Sequence, residues 1–393
     1  MIINKGMLMR YKGNLLLTFL VIFIIGCSSQ GNDSVQKSMI PLNEDLFQTT
    51  SPVISESALY QLSKQQQQDF LNFYQSQSSK GYLPHEVVKR FLESKLSNFS
   101  YYGKTYSANE AMERNSGNCM SLAILTTALS RLIDVDMSYR KMHSLPIYEK
   151  HGNVVLSSSH VQSLLYDPSF IPEKNVFYVN RPAIVIDYFP QEDNIRSKLI
   201  NSNDFLAMYY INKGAEFYIE GDYDNTFAFA KRAYELDSNN ASAINLLALL
   251  HKKKGDEITA EQLYLTALES SDANISVLDN YVNLLKKQGR FDRAQKIKQR
   301  IENIYDPNPY HWLEKAQLAR YQGEFDDSIR FYRKVIELTP YVKQAYLELH
   351  EVYILQGNKS SAITTLQSSL PWLHEPKQKR QYKKKLYQLS AAI

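Results

Sequence analysis

The sequence predicts an α+β domain followed by an all-α repeat superhelix, and two observations lead to this prediction. From residue 207 to residue 376 the chain repeats every 34 residues, in five consecutive units that begin at 207, 241, 275, 309 and 343. Repeats of this length are typical of stacked helix pairs. Ahead of them, residues 56–200 contain helix-forming stretches followed by runs rich in β-branched and aromatic residues, which are typical of strands. These predicted strands cover 137–142, 153–156, 160–166 and 183–188.

The composition is that of a globular protein with two or three domains. Of the 393 residues, 44% are hydrophobic and 22% are charged, which is too polar for a multi-span membrane protein and too apolar for a disordered chain. The formal net charge is only +4. A general nucleic-acid binder needs a strongly basic face to neutralise phosphates, so we expect no nucleic-acid partner.

Residues 1–26 predict a secretory signal peptide. Lys5, Arg10 and Lys12 precede an apolar run over Leu15–Ile25, and small residues follow that run. A helix over the run is too short to span a hydrocarbon core about 30 Å thick at about 1.5 Å per residue. A basic stretch, a short apolar stretch and small residues in this order are typical of an export signal.

The stretch Ile24–Cys27 resembles the lipobox of bacterial lipoproteins. The resemblance implies cleavage before Cys27 and lipidation of its thiol, which would anchor the protein to a membrane of the bacterial cell envelope. Since Ser28 and not Asp follows the cysteine, it also implies the outer membrane, with the protein facing the periplasm. The rest of residues 27–55 is polar and aperiodic, and it predicts a flexible tether.

Cys119 is the main candidate for a reactive residue. If Cys27 is lipidated, Cys119 is the one thiol left, and a lone thiol in an oxidising compartment needs an explanation. A capping box at Ser107–Glu110 predicts a helix through Arg114, and a second helix with an apolar face begins at Cys119. The start of a helix favours a thiolate, so the position suits a nucleophile. The alternative is a small buried core residue.

Two residues on the predicted strands complete a candidate catalytic triad. His160 begins one strand-like run, and Asp187 follows four apolar residues in another. An unpaired buried carboxylate is costly, so Asp187 should meet a hydrogen-bond donor. If the two strands pair, Asp187 can hold His160 in the tautomer that accepts a proton from Cys119. His143 and His151 fall in a predicted surface loop and are expected to be solvated.

The stretches Glu110–Arg131, His160–Val161 and Val185–Phe189 resemble, in this order, the transglutaminase-like superfamily of papain-type folds. The resemblance covers about residues 60–195. It implies a helix that starts at the cysteine and packs on an antiparallel sheet.

The same resemblance implies the role of each triad residue. Cys119 would be the nucleophile, His160 the base and Asp187 the partner of that base. For the oxyanion hole, the backbone N–H of Cys119 and the side chain of Asn118 are the two candidates. The sequence has no HExxH, no CxxC pair, no P-loop and no GxGxxG, so we expect no metal and no nucleotide cofactor.

A glycine recurs at the fifteenth position of each repeat unit, as Gly221, Gly255, Gly289, Gly323 and Gly357. It predicts a tight turn, with positive φ or close packing, after the first helix of each unit. The twentieth position is always small, and many of the 28 tyrosines fall in these helices. The pattern resembles the tetratricopeptide repeat. It predicts five repeats over 207–376, a groove that binds a protein or peptide partner, and a basic capping helix over 377–393.

The expected function is that of a lipid-anchored cysteine peptidase or amidase of the cell envelope. Cys119 would attack a peptide or side-chain amide, with His160 carrying the proton, while the repeat array binds a partner. The alternative is a non-catalytic envelope scaffold protein that uses the repeat groove and carries a degenerate transglutaminase-like domain.

Overall fold

The structure is a computed structural model, and it describes residues 40–49, 52–96, 104–142, 147–152, 154–158, 160–174, 176, 178, 181–188, 196–270, 275–302, 308–373 and 376–390. These residues belong to two compact units. The first unit is drawn from residues 1–141, 161–192 and 196–298, and the second from 142–160, 193–195 and 299–393. The predicted signal peptide and Cys27 lie outside the described residues.

Among the described residues, the first unit begins with five α-helices, and the last of them is almost completely buried. They are α1 (Glu56–Leu59), α2 (Lys64–Ser78), α3 (Pro84–Leu96), α4 (Ala108–Arg114) and α5 (Cys119–Leu132). The capping box predicted at the start of α4 is confirmed, because the Ser107 and Glu110 side chains each accept the other's backbone N–H. Every residue of α5 from Met120 to Ser130 is buried. The helix is therefore covered on all sides, whereas its sequence predicts a single apolar face.

The strands form a four-stranded sheet and a separate hairpin. They are β1 (Met137–Met142), β2 (Ile147–His151), β3 (Val154–Ser158), β4 (Val161–Tyr166), β5 (Ala183–Asp187) and β6 (Arg196–Ile200). The sheet has the order β5-β4-β1-β6, and β4 runs antiparallel to both of its neighbours. Helix α5 packs on β4. Helix α5 is thereby held on an antiparallel sheet.

The hairpin formed by β2 and β3 corrects one prediction. The four predicted strands are confirmed to within two residues at each end, but β2 falls where the sequence predicts a surface loop. Only Ile147 and Tyr148 in β2 favour a strand by composition, so the run is too short to be recognised. His151, which ends β2, is exposed as expected, and His143 lies outside the described residues.

Helix pairs with the predicted period follow the sheet. They are α6 (Ser202–Glu220), α7 (Tyr223–Leu236), α8 (Ala241–Lys254), α9 (Glu257–Leu268), α10 (Ile275–Lys287), α11 (Phe291–Glu302), α12 (Pro309–Gln322), α13 (Phe325–Leu338), α14 (Lys343–Leu355) and α15 (Lys359–Ser369). The turn glycines at the fifteenth positions all have positive φ, between +71° and +90°. The predicted reason for their recurrence is therefore confirmed.

The interior of the helix pairs explains the small residues and part of the tyrosine content. The residues at the twentieth positions are at most 2% exposed. They are Thr226, Ala260, Ala294, Ser328 and Ala362. Tyr234, Tyr264, Tyr281 and Tyr332 are among the largest fully buried side chains of the described chain. Small residues let the paired helices approach, and the tyrosine rings fill the remaining space.

Residues 40–48 correct part of the flexible tether that the sequence predicts over 27–55. Ile40–Gln48 lies along α7 and the end of α8, within the first unit. Leu42, Leu46 and Phe47 are partly buried, and a short 3-10 turn over Glu44–Leu46 brings them together. Because these few apolar side chains are spread through a polar stretch, composition alone does not distinguish the segment from a linker.

The C-terminal helix α16 (Pro376–Ser390) covers the end of the second unit. Tyr382 is buried there against Leu366 and Leu373, while the lysines of α16 are exposed. This is the solvated cap that the basic sequence predicts. Within the described ranges, every helix is too short or too polar to cross a bilayer.

Candidate active site

Cys119 is the first residue of α5 and follows a tight loop. Asn115 is the C-cap of α4 and has the left-handed conformation, with φ of +48°. Asn118 is the N-cap of α5 and has an extended conformation. The loop therefore places the half-buried thiol at the helix start. The N–H groups of a first turn have no partner inside the helix. Such groups stabilise a negative charge that forms near a helix start.

Ser121 holds this loop in place from one turn further along α5. Its N–H donates to Asn118 Oδ1 at 3.0 Å, and its Oγ accepts the Tyr106 N–H at 2.8 Å. A Cβ on Gly117 would lie 2.6 Å from the Ser121 Cβ. Only glycine fits at this point without moving the helix, so Gly117 fixes the backbone that presents Cys119.

Asn118 has a structural role at this site. Its Oδ1 caps α5, and its Nδ2 donates to Thr105 Oγ1 at 2.8 Å. Together these two bonds use the side-chain carbonyl and one of the two amide hydrogens of Asn118. The backbone N–H of Cys119 is therefore the better candidate for an oxyanion donor, and the role of the Asn118 side chain in that hole stays a prediction.

Asp187 ends β5 and is only 8% exposed. Its neighbour across the sheet is Gln162 of β4, whose Nε2 donates to Asp187 Oδ2 at 2.7 Å. The expectation that this carboxylate meets a donor is confirmed. The bond fixes one oxygen of the carboxylate and orients the group at the edge of the sheet.

His160 directly precedes β4 and is 2% exposed. Its carbonyl accepts the Met142 N–H at 2.9 Å. The chain passes from the second unit to the first between His160 and Val161. The strand that follows His160 pairs with the strand that carries Asp187, which is the pairing the triad requires.

Tyr188 directly follows β5 and contacts the middle of α5 and β4. Its hydroxyl donates to Ser163 Oγ at 2.9 Å and lies 2.6 Å from Thr126 Oγ1. Burial raises the pKa of Tyr188 well above the usual value, and a charge on Cys119 adds to this rise. The hydroxyl thus joins α5 to β4 through two side-chain contacts.

Two cavities among the described residues are defined by the side chains that line them. One of about 800 Å³ is lined by Trp312, Ile329 and other residues of α12 and α13. Another of about 190 Å³ lies among α2, α3, α4 and α5, next to Phe91 and Leu125. Cys119 lines neither of them.

The sequence does not identify Gln162 and Ser121 as residues of the candidate site. For Gln162 a signal exists, because it follows His160 by two residues in a run that alternates. For Ser121 the sequence holds no signal. Its importance comes from the close approach of Gly117 and from the Tyr106 N–H, which only the folded chain brings together.

Comparison with known proteins identifies the repeats. Residues 312–341 match the tetratricopeptide repeat family. No curated protein matches the chain. The repeat half is a tetratricopeptide-like helical array, as the sequence predicts, and such repeats imply interaction with another protein.

Solved structures with similar helices include three proteins of low identity. YrrB, a TPR protein with an unusual peptide-binding site, is 20% identical over 47% of this chain and 94% of its own, with a TM-score of 0.25. Yeast Tom70 is 22% identical over 49% of this chain and 41% of its own, with a TM-score of 0.34. PilF of Pseudomonas aeruginosa is 17% identical over 49% and 90%, with a TM-score of 0.30. At these TM-scores the three structures carry no argument about the function of this chain.

Proposed function

We propose that the protein is a lipid-anchored transglutaminase-like cysteine peptidase or amidase of the bacterial cell envelope, with a repeat array that binds a protein or peptide partner. The proposal rests on the arrangement of residues at the start of α5. There a half-buried thiol stands at a helix N-terminus. A buried carboxylate, that of Asp187, lies on the sheet against which α5 packs.

In the proposed reaction, Cys119 attacks the carbonyl carbon of a peptide or side-chain amide. The thiol gives its proton to His160, and the new C–S bond produces a tetrahedral oxyanion. The C–N bond then breaks as His160 returns the proton to the leaving amine. Water, deprotonated by the same imidazole, then attacks the acyl carbon. The C–S bond breaks, the carboxylic acid leaves, and the imidazolium returns its proton to the thiolate.

The surrounding residues support these roles. The Cys119 backbone N–H stands at the helix start, where the oxyanion would form. Gln162 holds one oxygen of Asp187, so that the carboxylate is fixed before it orients the imidazole of His160. Attachment through lipid at Cys27 and placement at the outer membrane, facing the periplasm, belong to the same proposal and rest on the sequence alone.

The decisive experiment is labelling of the full chain with a thiol-reactive amide probe near neutral pH. We expect Cys119 to react faster than free cysteine and the Cys119→Ser variant not to react at this position. His160→Ala should slow labelling at least tenfold, on the order expected for loss of a general base. His143→Ala and His151→Ala are the matched controls and should leave the rate unchanged. Labelling no faster than free cysteine, or loss of reactivity only with His143→Ala, would contradict the assignment.

A non-catalytic scaffold is the second candidate, and the position of the cavities favours it. The larger of the two cavities lies within the repeat array, between α12 and α13. Crosslinking a Cys119→Ala variant to its neighbours in intact envelopes distinguishes the two. A captured peptide that the unchanged protein cleaves supports the enzyme, and a stable partner that it leaves intact supports the scaffold.

A further inference from the structure

Residues 40–49, which we call the strap segment, lie on a surface formed by α7 and the end of α8 in the first unit. The backbone of the strap segment donates hydrogen bonds to side chains of this surface at both ends and in the middle. The bonds are Ile40 N–H to Tyr234 Oη at 3.1 Å, Asn43 N–H to His251 Nε2 at 3.3 Å, and Gln48 N–H to Asp224 Oδ1 at 3.2 Å. Main-chain hydrogen bonds to a fixed surface are a general way to hold an extended peptide.

Two side chains of the strap segment, three positions apart, make its charged and aromatic contacts. The Phe47 ring stacks on Phe227, with centroids 4.0 Å apart and planes 3° from parallel. The Glu44 carboxylate accepts hydrogen bonds from Lys231 Nζ at 2.6 and 2.7 Å. Lys254 Nζ lies 5.4 Å from the Phe47 ring centre, within cation–π range. The surface is therefore complementary to a carboxylate followed by an aromatic ring.

His251 is a buried acceptor directed at the strap backbone. Its Nδ1 lies 2.8 Å from the Leu247 carbonyl oxygen, which can only accept, so Nδ1 carries the hydrogen. Nε2 is then the acceptor for the Asn43 N–H. The side chain is fully buried. Asp256 nearby accepts from Asn43 Nδ2 at 3.3 Å, so the surface recognises both the backbone and the side chain of this residue.

We infer that this surface is a peptide-binding site whose resident ligand is the strap segment, and whose outside ligand is a polypeptide segment with an acidic residue three positions before an aromatic one. A partner that presents such a segment replaces the strap segment. The inference deepens the partner-binding part of the proposed function and rests on it. It is independent of the chemistry at Cys119.

The test measures binding of a fluorescent peptide with the sequence of residues 40–49 to the full chain by anisotropy. One variant, which we call the released chain, carries Glu44→Ala and Phe47→Ala so that the strap segment leaves its surface. The unchanged chain is the control. We expect the released chain to bind at least about tenfold more tightly, because the site of the unchanged chain is open only part of the time. Equal affinity of the two chains, or no binding to the released chain, would overturn the inference.

A charge reversal keeps the test independent of folding defects. Lys231→Glu in the released chain should weaken binding of the peptide about tenfold, and a peptide with Glu44→Lys should restore it. Restored binding also shows that the variant is folded, whereas no response to either change overturns the inference. Sedimentation of the unchanged chain completes the test. A dimer that dissociates on Phe47→Ala would also overturn it, because the strap segment would then bind a second copy.

Failure of this inference and failure of the proposed enzyme give different results. Cys119 labelling is measured on the same preparations. Labelling that stays fast while the peptide does not bind removes only the peptide site. Peptide binding with labelling no faster than free cysteine supports the peptide site and removes only the enzyme.

Discussion

Two places on the repeat array receive a segment of the same chain, and they use opposite charges to do so. In the first unit, Lys231 of α7 binds Glu44 of the strap segment. In the second unit, Glu314 of α12 binds Lys150 of the hairpin formed by β2 and β3. The other contacts differ in kind. The strap segment adds a stacked pair of rings, and the hairpin adds a buried hydrogen bond from a backbone N–H to the Tyr341 hydroxyl at 2.8 Å.

Comparison of the two ion pairs indicates which contact holds each segment. The side chains of the two ion pairs are almost equally exposed, at 33% and 57% for Lys231 and Glu44 and at 32% and 60% for Lys150 and Glu314. Exposed pairs of this kind contribute little. The charges therefore select the segment that binds, while the rings or the buried hydrogen bond supply most of the stability.

The largest effect is expected where the rings stack. Phe47→Ala should reduce the free energy that holds the strap segment by about 2–3 kcal/mol, somewhat less than the loss of a fully buried phenylalanine. The readout is hydrogen exchange at the Asn43 and Gln48 amides, whose hydrogens are bonded to the array. Phe291→Ala, at a ring of the same unit that is 66% exposed, is the control and should change neither amide. Unchanged exchange in the Phe47 variant would show that the backbone bonds hold the strap segment alone.

A smaller effect is expected at the hairpin. Tyr341→Phe removes the hydroxyl that accepts the Tyr148 N–H, at a cost of about 1–2 kcal/mol. Exchange of the Tyr148 amide should accelerate accordingly. Tyr321→Phe removes the same hydroxyl from a side chain that is 90% exposed and should have no effect. Equal effects of the two variants would mean that the hydroxyl of Tyr341 does not hold the hairpin.

The two halves of the chain differ in how far their sequence predicts them. In the array, each unit repeats the same solution, so the positive φ of Gly221 and the burial of Ala260 follow from a constant phase along the chain. At the candidate site each residue occurs once. The sequence predicts that Cys119 begins a helix and that Asp187 meets a donor, because capping and burial are local. It does not predict Gln162 as that donor, because strand register depends on the whole sheet.

The sequence does not predict the structure of the strap segment or of the hairpin, for a related reason. Each is polar or mixed in composition, and each is held by side chains about 160 to 210 residues away in the sequence, such as His251 for Asn43 and Glu314 for Lys150. Propensity and periodicity describe only near neighbours. A segment whose structure depends on a distant surface therefore looks like a linker or a loop.

Acid should weaken the second unit through His350. Burial lowers the pKa of this imidazole and the Lys385 charge adds to the lowering, while a hydrogen bond to the Ala362 backbone and the Glu351 charge oppose it. The folded pKa is below the unfolded value of about 6.5, so the unfolded chain binds more protons as the pH falls below that value. Stability is then lost between the unfolded and the folded pKa. The loss should be about 1 kcal/mol or less, because only one partly compensated group contributes.

Thermal unfolding at pH 7 and at pH 5 measures this loss. His350→Gln should reduce the difference between the two pH values, although the substitution itself lowers stability at both. His151→Gln changes an exposed histidine of the same unit and should leave the difference as it is. A His350 variant that stays as sensitive to acid as the unchanged chain would assign the effect to other groups.

The smallest effects are expected at the ion pairs, and they test the comparison most directly. Lys231→Met and Lys150→Met should each reduce the free energy that holds their segment by about 0.2–1 kcal/mol. The two losses should be similar, because the pairs are similarly exposed, and both should shrink in high salt. Double-mutant cycles with Glu44→Gln and Glu314→Gln isolate the pair energies. If Lys231→Met frees the strap segment as completely as Phe47→Ala does, charge and not ring stacking holds it, and the contrast between the two places on the array disappears.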